Sequence, residues 1–274
     1  MKTHSTWRRL FSNSCLVTAC LLSLATSMPA RSAESLPAAS NVVQRLLERA
    51  QLVARAPESS PYVYEMRAVT EVLDEDERVI KSTEKLYRVV MKGGLSFSRL
   101  LKVQGRELTD AELERENNRE VAFRQKVTRI DLHKKARKKE SLVTKELVDR
   151  FEFHVAKRET IAGRSTLVLT FKPRADASQE TMEDKVFMHV YGTVWVDEED
   201  AEMTKLDVSL RKPVSIGWFG SIGSLNKFHA TMERSRMTDG VWLTQKSTFW
   251  ILARKLFTAI RTKTIEESSG FRTE

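Results

Sequence analysis

From Tyr62 onward the chain alternates with a period of two. Tyr62, Tyr64, Met66 and Ala68 interleave with Val63, Glu65, Arg67 and Val69, the pattern of a half-buried strand with one apolar face. β-rich stretches follow at 79–91, 95–103, 151–155, 166–171, 192–196, 204–210, 227–237, 241–251 and 255–264, so roughly ten strands are expected. Turn chemistry separates them: the acidic run Asp74-Glu75-Asp76-Glu77, Gly93-Gly94, Ala162-Gly163-Arg164, Asp197 to Asp200 and Asp239-Gly240. Neighbouring strands joined by such short turns form antiparallel meanders.

Helical spacing interrupts the strands in a few places. Val42, Val43, Leu46, Leu47, Ala50, Val53 and Ala54 repeat in steps of three and four, giving one apolar helix face. Ser40 or Asn41 is expected to cap that helix, and Pro57 and Pro61 to end it. Thr109-Asp110-Ala111-Glu112 matches a capping box at the start of a second helix, with Phe123, Val127 and Ile130 as its apolar stripe. Ser141 is expected to cap a further helix carrying Val143, Leu147 and Val148, and 182–189 reads as a short one.

The first thirty residues read as a targeting segment. A cationic opening with Lys2, Arg8 and Arg9 precedes the apolar run Cys15 to Ala25 and the small residues Thr26-Ser27-Met28-Pro29-Ala30, the parts of a secretory signal peptide. The run falls short of the roughly 20 apolar residues that span a bilayer. Cleavage after Ser27 or after Ala30 leaves small residues at the scissile position. Val17-Thr18-Ala19-Cys20 offers an alternative, a lipobox in which Cys20 is acylated and anchors the chain to the outer membrane. Both cysteines, Cys15 and Cys20, lie in this segment, so the chain after ordinary cleavage holds no disulfide and no thiolate metal site. Removing residues 1–33 takes away Lys2, Arg8, Arg9 and Arg31, four positive charges and no acid, and lowers the formal charge from +9 to about +5. The expected organisation is a signal peptide at 1–30, a linker and helix at 31–61, and a β domain at 62–274 with a basic helical insertion at 109–150.

The order of these parts resembles the LolA/LolB-like superfamily of outer-membrane lipoprotein-sorting proteins. The resemblance rests on Glu159-Thr160-Ile161-Ala162-Gly163-Arg164 leading to Leu167-Val168-Leu169-Thr170-Phe171-Lys172-Pro173, then on Gly192-Thr193-Val194-Trp195-Val196-Asp197 and Asp239-Gly240-Val241-Trp242. It implies a mainly β (α+β) fold: a strongly curved antiparallel sheet, or half-open β-barrel, covered by helices, whose hollow holds acyl chains. Residues 109–150 are extra to that pattern. Binding and release without covalent chemistry, in the periplasm, is the implied work. The expected lining residues are Tyr62, Tyr64, Met66, Phe151, Phe153, Leu167, Leu169, Phe171 and Trp195; the alternative is that they pack against the helices. The expected partner is a lipid or a lipoprotein acyl chain.

Two further stretches stand out. In Gly217-Trp218-Phe219-Gly220-Ser221-Ile222-Gly223-Ser224-Leu225, large apolar residues alternate with glycines. Trp218, Phe219, Ile222 and Leu225 are candidates for a membrane or lid loop, since tryptophan suits the lipid interface; the alternative is a tight turn with Trp218 in the core. Residues 124–145 carry nine Lys and Arg against Asp131 and Glu140. Lys134, Lys135, Arg137, Lys138 and Lys139 form a candidate patch for anionic headgroups or an acidic envelope partner, or else a solvated helix face. Export argues against nucleic acid as the partner. His133, His154, His189 and His229 lack ligand spacing, and no P-loop, dinucleotide fingerprint, nucleophile elbow or carboxylate pair is present, so no metal, cofactor or enzymatic activity is expected. If the loop touches membrane, Trp218→Ser with Phe219→Ser weakens vesicle binding and leaves the melting temperature nearly unchanged. A large fall in melting temperature would place both side chains in the core.

Overall fold

A computed structural model describes residues 35–55, 62–92, 95–133, 143–216, 223–255 and 258–273. The signal-peptide segment, Trp218, Phe219, Ile222, Ser141 and the basic run Lys134, Lys135, Arg137, Lys138 and Lys139 lie outside the described residues. The helices and strands all belong to one unit of the chain, Leu36–Glu274.

Strands β1 (Tyr62–Leu73), β2 (Val79–Lys92), β3 (Leu95–Val103) and β4 (Arg106–Glu107) form the first meander. After the helices α2 (Asp110–His133) and α3 (Lys145–Val148) come β5 (Phe151–Ile161) and β6 (Arg164–Pro173). Helix α4 (Met182–Phe187) leads to β7 (Val190–Asp197), β8 (Met203–Leu210) and the short β9 (Val214–Ile216). The chain ends in three long strands, β10 (Gly223–Arg236), β11 (Trp242–Lys255) and β12 (Thr258–Thr273). Helix α1 (Ala39–Arg55) precedes them all.

All twelve strands join one antiparallel sheet in the order β4-β3-β2-β1-β12-β11-β10-β8-β7-β6-β5, with β9 paired to the start of β10. β4 and β5 are the two ends and do not pair, so the sheet stays open, in keeping with the half-open β architecture expected from the sequence. The ten expected strands are all present. Two more, β4 and β9, are only two and three residues long, too short to show a period. The first strand pairs with the last, Tyr62 opposite Thr273 through Val72 opposite Thr262, and that ladder fuses the two meanders.

The helix starts differ slightly from expectation. α1 begins at Ala39, with the amides of Asn41 and Val42 donating to the Ala38 carbonyl, so Ser40 and Asn41 lie inside its first turn. The Thr109 capping box is present: the Thr109 amide donates to Glu112 Oε2 at 2.9 Å. Arg106, and then Thr109, hold the Glu112 carboxyl far below its ordinary range. α3 is capped by Thr144 rather than Ser141. α4 has a capping box of its own, Thr181 with Asp184. Helix α2 runs along the free edge of β3, where the buried Glu116 carboxylate accepts the otherwise open amide of Leu100 at 3.0 Å and Phe123 stacks on Phe97. Covering an edge this way removes a template for unwanted strand pairing.

Residues opposite one another in a ladder share a face. The core sits where the apolar face of β5–β8 meets α1: Val42, Val43 and Leu46 pack on Val155, Leu167, Leu169, Val194, Val196 and Met203. A charged rim fixes α1 there. Arg49 donates to Glu202 at 3.0 Å and Arg45 to the Glu198 carbonyl at 2.8 Å, both in the β7–β8 turn. Arg234 of β10 binds the other oxygen of Glu202 at 2.8 Å and the Trp242 carbonyl at 2.9 Å. At the centre Asp197, 1% exposed, accepts two bonds from Arg164 at 2.6 and 2.8 Å and the turn amides of Glu199 and Asp200.

Burial drives the Asp197 carboxyl upward, but the Arg164 guanidinium and the Asp200 amide together outweigh it and hold the group below its ordinary value. A depressed native pKa stabilises the fold fully above the ordinary carboxylate range, and that contribution is lost as pH falls through the native value. Asp197→Asn is therefore expected to cost about 2–3 kcal/mol in neutral urea unfolding, less than a fully buried pair because Glu199 and Asp200 still face Arg164. The variant also loses less stability than the parent between neutral and acid pH.

Candidate ligand-binding cavity

Between α1, the short helices and the sheet lies a cavity of about 440 Å³, within the range of pockets that take small molecules. Val43 and Leu46 of α1 roof it, with Val143 and with Leu147 and Val148 of α3. Val186 and Phe187 of α4 close one side. The floor alternates along the strands: Phe151 and Phe153 of β5, Phe171 of β6, Val190 and Val194 of β7, Met203, Leu206 and Val208 of β8, and Leu225, Phe228 and Met232 of β10. Every lining residue is apolar. Such a space does not favour water, which needs polar partners.

An aromatic cluster walls one end. Phe151 meets Phe171 edge-on at 5.3 Å and Phe187 at 6.2 Å, and Phe153 lies 5.7 Å from Phe171. Gly192 makes room for this cluster: a Cβ there would lie 2.5 Å from the Phe171 ring and 2.4 Å from the Asp207 carbonyl oxygen. Arg150 stacks over Phe187 at 5.3 Å and pairs with the buried Asp184. The Thr181 amide, followed by Arg150, keeps the Asp184 carboxyl far below its ordinary range.

Of the residues singled out in the sequence, Phe151, Phe153 and Phe171 line this cavity, and so does Leu225, which lies in β10 rather than in a loop. Leu167 and Leu169 are sealed in the core beneath α1, at 2% and 0% exposure. Trp195 lies on the other face of the sheet, because it alternates with Val194 and Val196. Its indole nitrogen donates to Glu159 at 2.6 Å and Lys205 stacks over its ring. Tyr62, Tyr64 and Met66 sit on β1, three strands beyond β10. Burial, and then a hydrogen bond to Asp239, push the Tyr62 hydroxyl above its ordinary range. Tyr64 lies 5.0 Å from Phe271, and Met66 lies between Ser268 and Tyr87.

The sequence shows the apolar helix faces that carry Val43, Leu46, Leu147 and Val148 but does not mark them as cavity lining, nor, Leu225 apart, the floor on β8 and β10. Leu206 and Val208 alternate visibly, as do Phe228 and Met232, but which face of each strand turns inward follows from pairings that join distant parts of the chain. His229 lies 3.0 Å from Asp207. Among the described residues no three His, Cys, Asp or Glu side chains gather into a metal-sized group.

No family model and no curated protein matches the chain. Among solved structures it is similar to an outer membrane lipoprotein-sorting protein domain from Vibrio parahaemolyticus, at 12% identity over 85% of this chain and 93% of that one, with a TM-score of 0.32. A LolA superfamily protein from Nitrosomonas europaea matches at 11% identity over 85% and 93%, TM-score 0.29. MucB of Pseudomonas aeruginosa, solved in complex with MucA, matches at 10% identity over 86% and 98%, TM-score 0.25. LolA-superfamily structures are thus among those matched, in agreement with the resemblance seen in the sequence. Superpositions this loose carry no weight for function; the cavity stands on its own geometry.

Core and lining residues should respond differently to truncation. Leu169→Ala opens a void in a filled core and is expected to cost about 2–5 kcal/mol. Phe153→Ala is expected to cost about 1–2 kcal/mol, because its ring already faces empty space and has fewer contacts to lose. Equal losses in urea unfolding would mean that the cavity is filled by packing in solution.

Proposed function

We propose that this chain is an exported, non-enzymatic carrier that holds the acyl chain of a lipid or lipoprotein in the cavity beneath α1. The observation that carries this reading is the wall itself: a space of about 440 Å³ with no polar side chain among its lining residues. Hydrocarbon entering it leaves water at about 0.8 kcal/mol per methylene, which is enough to drive uptake without a directed polar contact. Release needs no chemistry, only a change in the helices that form the roof. The proposed site of action is the periplasm, in line with the secretory character of residues 1–30.

Gentle purification from the native envelope, followed by native mass spectrometry and solvent extraction, tests this directly. The expected result is a releasable adduct of lipid mass. Met232→Glu, which puts a carboxylate into the apolar wall, is expected to abolish uptake of a fluorescent fatty-acyl probe while the β-sheet circular dichroism signal stays. A parent protein that carries no adduct and takes up no acyl probe would contradict the reading.

A further inference from the structure

The face of the sheet that floors the cavity does not end with it. The pairings define one row running straight across the strands: Leu206, Met232, Ser247, Glu266, Ala68, Lys85. Leu206 and Met232 line the cavity. The next position, Ser247, is 5% exposed and donates its hydroxyl to Glu266 Oε2 at 2.9 Å. The neighbouring row turns polar one strand later, from Phe249 of β11 to Thr264 of β12 and Thr70 of β1, whose hydroxyl oxygens lie 3.4 Å apart. The same face is thus apolar over β5–β10, and over β12, β1 and β2 it carries Thr264, Glu266, Thr70 and Lys85 among the apolar Met66, Ala68, Val72 and Val89.

Two opposite, half-buried charges stand in that polar half, with the exposed Lys81 further along β2. Glu266 is half-buried and its hydrogen-bond partner among the described residues is a serine hydroxyl, not a cation. Lys85 is half-buried too and has no hydrogen-bond or ion-pair partner among the described residues. They are rooted two strands apart, about 10 Å at the backbone, with only the methyl group of Ala68 between them in the row. Tyr64 and Tyr87 lie close enough for their hydroxyls, raised mainly by burial, to feel the Glu266 charge as well. Aromatic rings beside a carboxylate suit a positively charged nitrogen.

We infer that this polar half is a head-group subsite and that the ligand is a zwitterionic amphiphile, its hydrocarbon in the cavity, its positive nitrogen at Glu266 and its phosphate at Lys85. The inference rests on the reading that the cavity holds an acyl chain. A zwitterion satisfies both charges. An anionic head group satisfies Lys85 but opposes Glu266, and a fatty acid brings a second carboxylate to the same place.

The test is competition binding of lysophosphatidylethanolamine against lysophosphatidylglycerol of equal chain length, read by displacement of a fluorescent acyl probe. The parent protein should bind the zwitterionic lipid about tenfold more tightly. Glu266→Gln, which keeps an acceptor for Ser247, should bring the two affinities within about twofold, and Lys85→Met should weaken both lipids. Equal binding by the parent, or a preference that survives Glu266→Gln, overturns the head-group inference and leaves the cavity reading standing. Uptake of neither lipid removes both.

Discussion

The buried carboxylate of Asp197 is the contact on which the rest of this structure depends. A charge at 1% exposure is tolerable only because Arg164 and two turn amides surround it. Once made, those bonds shape the β7–β8 turn, in which Ala201 takes a left-handed backbone angle, φ 52°. The turn in turn presents Glu198 and Glu202 to Arg45 and Arg49, and Asp200 to Arg236 and the Trp242 indole. One small loop thereby ties α1 and the β10–β11 hairpin to β7 and β8. α1 is pinned through Arg45 and Arg49 in its middle turns and packs on β5–β8, while the rest of the apolar floor runs on beneath it. The cavity is the space left between α1, the short helices α3 and α4, and that floor.

An open sheet with its first and last strands paired has a second consequence. Side chains from widely separated segments fall into straight rows, and the two rows that start at Met232 and Phe249 change character on either side of β11. The apolar half comes from 151–232, and the polar half from the ends of the domain. An amphiphile lying across such a face meets hydrocarbon at one end and hydroxyls and charge at the other. Gly192 shows how closely the apolar half is fitted, since Phe171 occupies the place where a side chain would stand.

Much of this architecture is legible in the sequence, for a physical reason. Alternation is a local property, so Tyr62-Val63-Tyr64-Glu65 announces a strand by itself, and Thr109 with Glu112 announces a helix start. What alternation lacks is the choice of inward face. Trp195 looks like a cavity residue by composition, but its neighbours Val194 and Val196 take the inner face and leave it bonded to Glu159 on the other. Leu167 and Leu169 have the right parity yet lie under α1, a helix more than a hundred residues away in the chain. The charge cluster around Arg164 and Asp197 is visible in the sequence only as a turn pattern, because the neighbouring Glu202 and Asp200 take their partners Arg49, Arg234 and Trp242 from three other elements. β4 and β9 exist through pairing rather than through any period of their own.

Uptake of an acyl chain into the space beneath α1, in solution, is the claim on which the functional reading stands. Methyl-resolved NMR with a stearic acid spin-labelled on its chain measures this at the residues concerned. The predicted result is paramagnetic broadening of the methyl groups of Val43, Leu46, Val194, Leu206 and Met232, while those of Val63 and Leu73, buried in β1, stay sharp. Uniform broadening, or broadening confined to methyl groups outside the cavity, would contradict it.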